Sequence, residues 1–478
     1  MKRQFYSLET FKRIIDLEEK RGRLKEYCFT DDVKALSHEL KMLRKQYLTA
    51  RKEEREIIKE QIEEKRREYA ARRDEEIVVV YNKILHREFE YSLKPVSVKG
   101  KEAYTTNNME TLLVSKFLML ELKRSYKVRP ANRNDIVEEL YALLDGPMPK
   151  LVVRADISHF FESIPQDGLV SKLTGDAFIS HNSVKSLRSL LYQYNDLVGN
   201  RQQHIGIPRG LCFSSYLSEI YMRDFDADIR NLEGVYFYKR YVDDIVIIAN
   251  PSLISAKDCW KNLQEALNRK GLRLTENKSK LLAKVFSPRS HAPQILNYLG
   301  YQFRYYNGHA DILLTADKVS RYKDSIRLIF EKYKEIGNYC ARRSGNRNNT
   351  PKTDATLQFM HRLNAITANG CLDGRKNYVR VGIYYSNKFL TSISQLQDLD
   401  DYIKSCLDDP VFFNPPQNVF QYGYADSHER CIAAMKEKIL SEYSFKRGFV
   451  ERRMYRWKDY KQILKQIQNI YYLTIGDE

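Results

Sequence analysis

Residues 34–76 contain neither Gly nor Pro, and Leu36, Leu40, Leu43 and Tyr47 recur at the spacing of one apolar helical stripe. Beyond that stripe KEEREIIKEQIEEKRREYAARRDEE is charged throughout, with Glu63–Arg67 and Glu68–Arg72 placed for i,i+4 pairs. The pattern predicts a long charged helix or a helical hairpin arm, more simply read as a solvated face than as a nucleic-acid surface. From residue 77 the pattern is mixed. LVVRADISHFF (151–161) opens as a buried strand, HNSVKSLRSLLYQYNDL (181–197) is helical, and GIPRG (206–210) is a turn into the helix-like 211–229. VYFYKRY and DIVIIA read as two strands, followed by a helix near 255–270 and two short strands near 296–304. This order predicts an α+β domain with an antiparallel sheet. After 315 the chain reads as helical; the polar, basic stretch 340–354 is the expected linker, and 356–478 a mostly helical region.

A chain of 478 residues is too long for one core, which predicts two to four domains. Its 43% hydrophobic and 12% aromatic residues exclude a disordered protein. The net charge of +18 favours a polyanionic partner, above all nucleic acid. Seven scattered cysteines with no C-x-x-C pair argue against a disulfide framework or a zinc site. MKRQFYSLET lacks the apolar core of a signal peptide, and TLLVSKFLMLEL (111–122) is broken by Lys116. The expectation is a soluble cytoplasmic protein with no membrane partner.

The chemistry concentrates in FYKRYVDDIVIIA (237–249), where Asp243 and Asp244 separate two β-prone runs. A tight hairpin puts both at its tip, which by itself is an ordinary turn. A second carboxylate, Asp156 in VVRADISHFFESIP, ends another apolar strand. Two such strands side by side bring three carboxylates together, and their repulsion asks for divalent cations. Oxygen ligands without His or Cys select Mg²⁺ or Mn²⁺, and paired ions of that kind serve phosphoryl transfer.

In order and spacing these segments resemble the palm of reverse transcriptases. DISHFFESIP is similar to motif A, GIPRGLCFSSYLSEIYM to motif B, RYVDD to motif C, GLRLTENKSK (271–280) to motif D, and NYLGYQF (297–303) to the primer grip. The resemblance implies a right-hand polymerase fold, α+β, with fingers and an antiparallel palm sheet, a helical thumb, and helical N- and C-terminal extensions. The expected division is an N-terminal extension over 1–94, fingers and palm over 95–315, thumb-like helices over 316–345 and a C-terminal domain over 346–478. It implies metal binding by Asp156, Asp243 and Asp244, with Ile157 beside Asp156 counted in the set. Lys278, in motif D, would act on the leaving pyrophosphate, or is only a solvated lysine. Phe161 would lie under the sugar and exclude a 2′-hydroxyl, with Phe160 a core residue. Arg209 and Gly210 would meet nucleotide and template, Arg129 and Arg133 the triphosphate, and Tyr298, Leu299 and Gly300 the primer end. In a chain this basic, a fingers arginine such as Arg129 or Arg133 is more often a backbone-phosphate or surface residue.

P-R-G in place of P-Q-G, Ser214-Ser215 in place of S-P, and the KVRPANRNDIVEEL segment resemble the bacterial abortive-infection and defence-associated branch. The resemblance implies an antiphage enzyme using dNTPs and Mg²⁺ (Mn²⁺ the alternative) to copy RNA, in some members of the branch a companion noncoding RNA, into DNA. Priming on protein and assembly into a homo-oligomer are carried over from members of that branch. Three rival readings stand beside it. One is a retron- or group II intron-derived enzyme, the second a non-catalytic RNA-binding scaffold, the third a viral-type RNA polymerase, which Phe161 disfavours.

Overall fold

The structure, a computed structural model, describes residues 6–20, 22, 24, 26–98, 100–199, 201–277, 280–342, 351–371, 380–413 and 428–455. It divides into two compact units, each made of two chain segments: 1–132 with 151–284, and 133–150 with 285–478.

The first unit begins with helices α1 (Leu8–Lys20), α2 (Asp31–Thr49) and α3 (Glu54–His86), the hairpin of β1 (Leu93–Val98) and β2 (Lys101–Thr106), and α4 (Met109–Tyr126). The charged stretch is therefore a helical hairpin. Its α2 stripe packs Val33, Leu36 and Leu40 against Tyr69 and Ile62 of α3. The break at Ala50–Glu53 needs neither Gly nor Pro: Arg51 N–H donates to the Glu54 carboxylate at 3.2 Å, and Arg55 Nε to Ala50 O at 3.2 Å. Among the described residues, the expected Glu63–Arg67 and Glu68–Arg72 pairs give way to Lys65–Glu68, Arg72–Glu75 and the cross-helix Lys65–Glu39.

The chain returns to this unit with β3 (Lys150–Asp156), the short α6 (Phe160–Ser163), α7 (Gln166–Asp176), α8 (His181–Leu197) and α9 (Ser214–Arg230). Then come β4 (Val235–Tyr241), β5 (Asp244–Ala249), α10 (Ala256–Arg269) and β6 (Leu282–Phe286). The strands form one sheet in the order β4-β5-β3-β6. Leu151, Val152, Val153 and residues 245–249 are fully buried, which is why these two central strands read as unbroken apolar runs. Antiparallel pairing runs from Leu151 opposite Ala249 to Asp156 opposite Asp244.

The second unit holds α5 (Arg133–Leu144), the sheet β7-β8-β9 (Gln294–Tyr298, Tyr301–Tyr306, His309–Leu314), α11 (Ala316–Arg342) and α12 (Pro351–Thr367). It ends with the small pair β10 (Asn369–Cys371) and β11 (Arg380–Gly382), α13 (Ser394–Asp408), α14 (His428–Glu442) and α15 (Phe445–Val450). In its core Tyr333 stacks on Phe359 and Phe413, and Phe330 meets Phe359 edge-on. Helix α5 is bound to the β8–β9 hairpin: Gly146 N–H donates to Gly308 O at 2.9 Å, and Ala310 N–H to Asp145 at 3.0 Å. Lys150 caps it, its buried ammonium donating to the carbonyls of Leu143, Leu144 and Gly146. Most of the expected linker, 343–350, lies outside the described residues. Among the described residues no helix is long and apolar enough to cross a membrane.

Candidate active site

The β4–β5 hairpin pairs Tyr241 with Asp244, leaving Val242 and Asp243 as a two-residue turn. Val242 has φ of 61°, a conformation that a β-branched residue adopts only when its surroundings hold it there. Here they do. Arg240 is buried on β4 and spends all five N–H donors: Asp226 receives two, Glu219 two, and the Val242 carbonyl one at 2.9 Å. On the other side, Ile157 N–H donates to Asp243 O at 3.0 Å.

Asp156 stands directly opposite Asp244 on the neighbouring strand, so their side chains share a face of the sheet. One oxygen from each of Asp156, Asp243 and Asp244 lies within 4.8 Å of the others. Asp156 is buried, and the other two are half-buried. Among the described residues two cations face the cluster. Lys280 Nζ donates to both oxygens of Asp156 at 3.0 Å, and Arg154, two residues before Asp156 and so on the same strand face, reaches Asp244 at 3.6 Å. Three carboxylates held this close repel one another. Burial, with repulsion from Asp243 and Asp156, pushes the Asp244 carboxyl up to about 6 against the pull of Arg154 and Lys280. An all-oxygen donor set of three clustered carboxylates fits a hard divalent cation.

Lys280 arrives through backbone pairing. Thr275 N–H donates to Asp156 O at 2.8 Å and Ser158 N–H to Arg273 O at 2.9 Å, so the GLRLT segment runs beside the end of β3. Lys278, the sequence candidate in that segment, lies outside the described residues. Arg154, Arg240 and Lys280 were not among the sequence candidates. RADIS held the signal for Arg154, since alternate strand residues share a face.

Phe160 is buried, whereas Phe161 is half-exposed and edge-on to it, with ring centroids 5.4 Å apart. The Arg209 guanidinium lies 5.5 Å from the Phe161 ring centre and pairs with Glu162 at 3.0 Å. Arg209 O accepts from Tyr104 N–H on β2 at 2.7 Å. Gly210 has φ of 95°, and a Cβ there would meet Tyr104 O at 2.8 Å, so only glycine allows this approach. Arg129 is exposed near the end of α4. Arg133, Tyr298, Leu299 and Gly300 belong to the second unit. Leu299 and Gly300, both at positive φ, form the β7–β8 turn, and Arg133 donates to Leu299 O at 3.0 and 2.6 Å. Tyr298 is buried.

Residues 91–303 match the sequence model of the family described as reverse transcriptase (RNA-dependent DNA polymerase). A search of curated proteins found no match. Solved structures similar to this chain include telomerase from Candida tropicalis in complex with the TWJ fragment of telomeric RNA, at 12% identity and TM-score 0.36, covering 81% of this chain and 63% of that one. Telomerase from Candida albicans in complex with the same kind of fragment is similar at 12% identity and TM-score 0.34, over 79% of this chain and 66% of that one. An RdRp complex is similar at 11% identity and TM-score 0.31, over 84% of this chain and 46% of that one. The chain thus spans less than two thirds of the length of the two telomerases. The family match takes in β1 through Phe303 on β8, and with them all three carboxylates. Residues 91–303 therefore form a reverse transcriptase domain.

Proposed function

We propose that this chain extends DNA on an RNA template from deoxynucleoside triphosphates, in the antiphage defence of a bacterium. The observation that carries the polymerase reading is the meeting of Asp156, Asp243 and Asp244 within 4.8 Å on paired strands inside the family match. Mg²⁺, or Mn²⁺ in its place, would supply Lewis-acid charge there for the attacking and leaving oxygens. The chain's own residues do the rest. Asp156 and Asp243 would hold the cations, with Asp244 completing the negative field. Ile157 and Arg240 fix the turn that aims Asp243. Phe161 sets its ring against the sugar and turns away a 2′-hydroxyl, while Arg209 and Gly210 border the nucleotide and template base. Lys280, already on Asp156, offers a positive charge toward the leaving pyrophosphate, a role it shares with Lys278. Tyr298, Leu299 and Gly300 steady the primer end. Arg133, committed to Leu299 O, suits the support of that turn better than a triphosphate.

The defence assignment is supported by the P-R-G and Ser214-Ser215 departures and the KVRPANRND segment. With it come a companion noncoding RNA as template, priming on protein, and a homo-oligomer. Purified chain given an RNA template, primer, dNTPs and Mg²⁺ is expected to incorporate nucleotide, and Asp243→Asn/Asp244→Asn to abolish this. Equal rates in the two proteins would overturn the polymerase reading. Sequencing RNA and DNA co-purified from the native locus, with protease treatment of the DNA, tests the template and primer.

A further inference from the structure

A second feature of the first unit is a cleft of about 570 Å³ between α1 and the end of α4. Arg13 from α1, Lys123 and Arg124 from the last turn of α4, and Lys127 and Arg129 just beyond it all line it, and all five are exposed. Among the described residues Arg13, Lys123, Lys127 and Arg129 have no carboxylate within ion-pair distance, whereas Lys12 of α1 and Lys116 of α4 pair with Asp74 and Glu18. The one acid lining the cleft, Glu121, is turned away: it accepts from Ser180 N–H at 3.0 Å and from the Ser183 hydroxyl, at the start of α8. A helix C-terminus by itself attracts cations. Here the Tyr126 carbonyl at the end of α4 is already served by Arg223 at 2.7 Å, and Arg13 and Arg129 come from outside the helix. Cations gathered without counter-charge repel one another, and they persist where an anion brings compensating energy.

We propose that this cleft, which shares no lining residue with the carboxylate cluster, binds the phosphate backbone of single-stranded RNA. The apolar floor of Phe117, Leu120 and Val128 gives sugars and bases a surface while the cations take the phosphates. The choice of RNA as the polymer rests on the proposed function; the anion site itself does not.

The test is the triple variant Arg13→Gln/Lys123→Gln/Lys127→Gln, which leaves the candidate active site untouched. Fluorescence anisotropy with a labelled 20-nucleotide RNA across a sodium chloride series is expected to show about tenfold weaker binding. The slope of log affinity against log salt should fall by about 2, three lost phosphate contacts at about 0.7 each. Primer extension on a short saturating template should stay at the parent rate. Unchanged affinity and slope overturn the proposal. So does a lower melting temperature of the RNA-free variant, which would make the cations structural. Displacement of the RNA by tripolyphosphate at equal phosphate concentration would overturn it in favour of a small-anion pocket. Binding needs no catalysis, so a chain that failed to polymerise would still give a decisive answer here.

Discussion

Arg240→Met removes one guanidinium and leaves two carboxylates facing each other. Arg240 is 2% exposed at its side chain, and Glu219 and Asp226 are each 17% exposed. Burial lowers the affinity of Arg240 for its proton, but the two carboxylates more than restore it and hold the charge firmly. With the guanidinium gone, Glu219 and Asp226 keep their desolvation without compensation, a loss of about 3–5 kcal/mol by analogy with broken buried pairs. In a unit of this size each kcal/mol moves the melting temperature by about 2–4 °C, so a drop of about 10 °C is expected. Thermal denaturation followed by near-UV circular dichroism measures it. Combining Arg240→Met with Glu219→Gln and Asp226→Asn should recover most of the loss, because the stranded charges go with it. Arg240→Lys keeps a charge but cannot serve two carboxylates and the Val242 carbonyl together. It should lower kcat more than KM rises, since Val242 then loses the contact that holds its positive φ. A melting temperature within about 1 °C of the parent for Arg240→Met would refute the reasoning.

Three more outcomes follow from contacts already described. Phe161→Ala should reduce preference for dNTP over NTP by about tenfold or more in competition assays, with the template held fixed. Gly210→Ala should cost about 2 kcal/mol in urea denaturation, since the new methyl meets Tyr104 O in a backbone region that suits glycine. Lys318, on α11, is held down from 10.5 to about 7 by burial, with Arg133 and Arg321 adding repulsion. The unfolded chain therefore binds more protons than the folded one between pH 7 and 10.5, and stability rises with pH across that window. Lys318→Met should flatten that rise and add about 2 kcal/mol at pH 7, read from urea midpoints across the pH series.

The β4–β5 hairpin was legible because the two apolar runs and the Asp-Asp between them are local signals. Asp156 was legible as the end of a second such run, and the strand register then put it opposite Asp244. Less was legible where contacts are remote in sequence. Nothing near Arg240 in the chain shows that Glu219 and Asp226, on the preceding helix, will enclose it. Lys280 reaches Asp156 only through backbone bridges at Ile157 and Thr275, which side-chain patterning does not encode. The β1–β2 hairpin and β9 also escaped the pattern. KPVSVKGKEAY and HADILL are short and polar on one side, and tertiary pairing decides them. The helical hairpin of α2 and α3 turns at ARKE, a sequence with no breaker, because side chains of the next turn cap it.

Helix α5 emerges from synthesis early, yet the hairpin that clasps it, β8–β9, is encoded some 160 residues later, from Asp145 to Ala310. Until that hairpin is made, Ile136, Val137, Leu140 and Leu144 have no partner strand to cover them. A deletion that ends the chain near 284 would thus leave an orphaned apolar helix inside an otherwise self-contained unit. Trimming this protein to its first unit requires replacing 133–150 by a short loop as well as removing the tail.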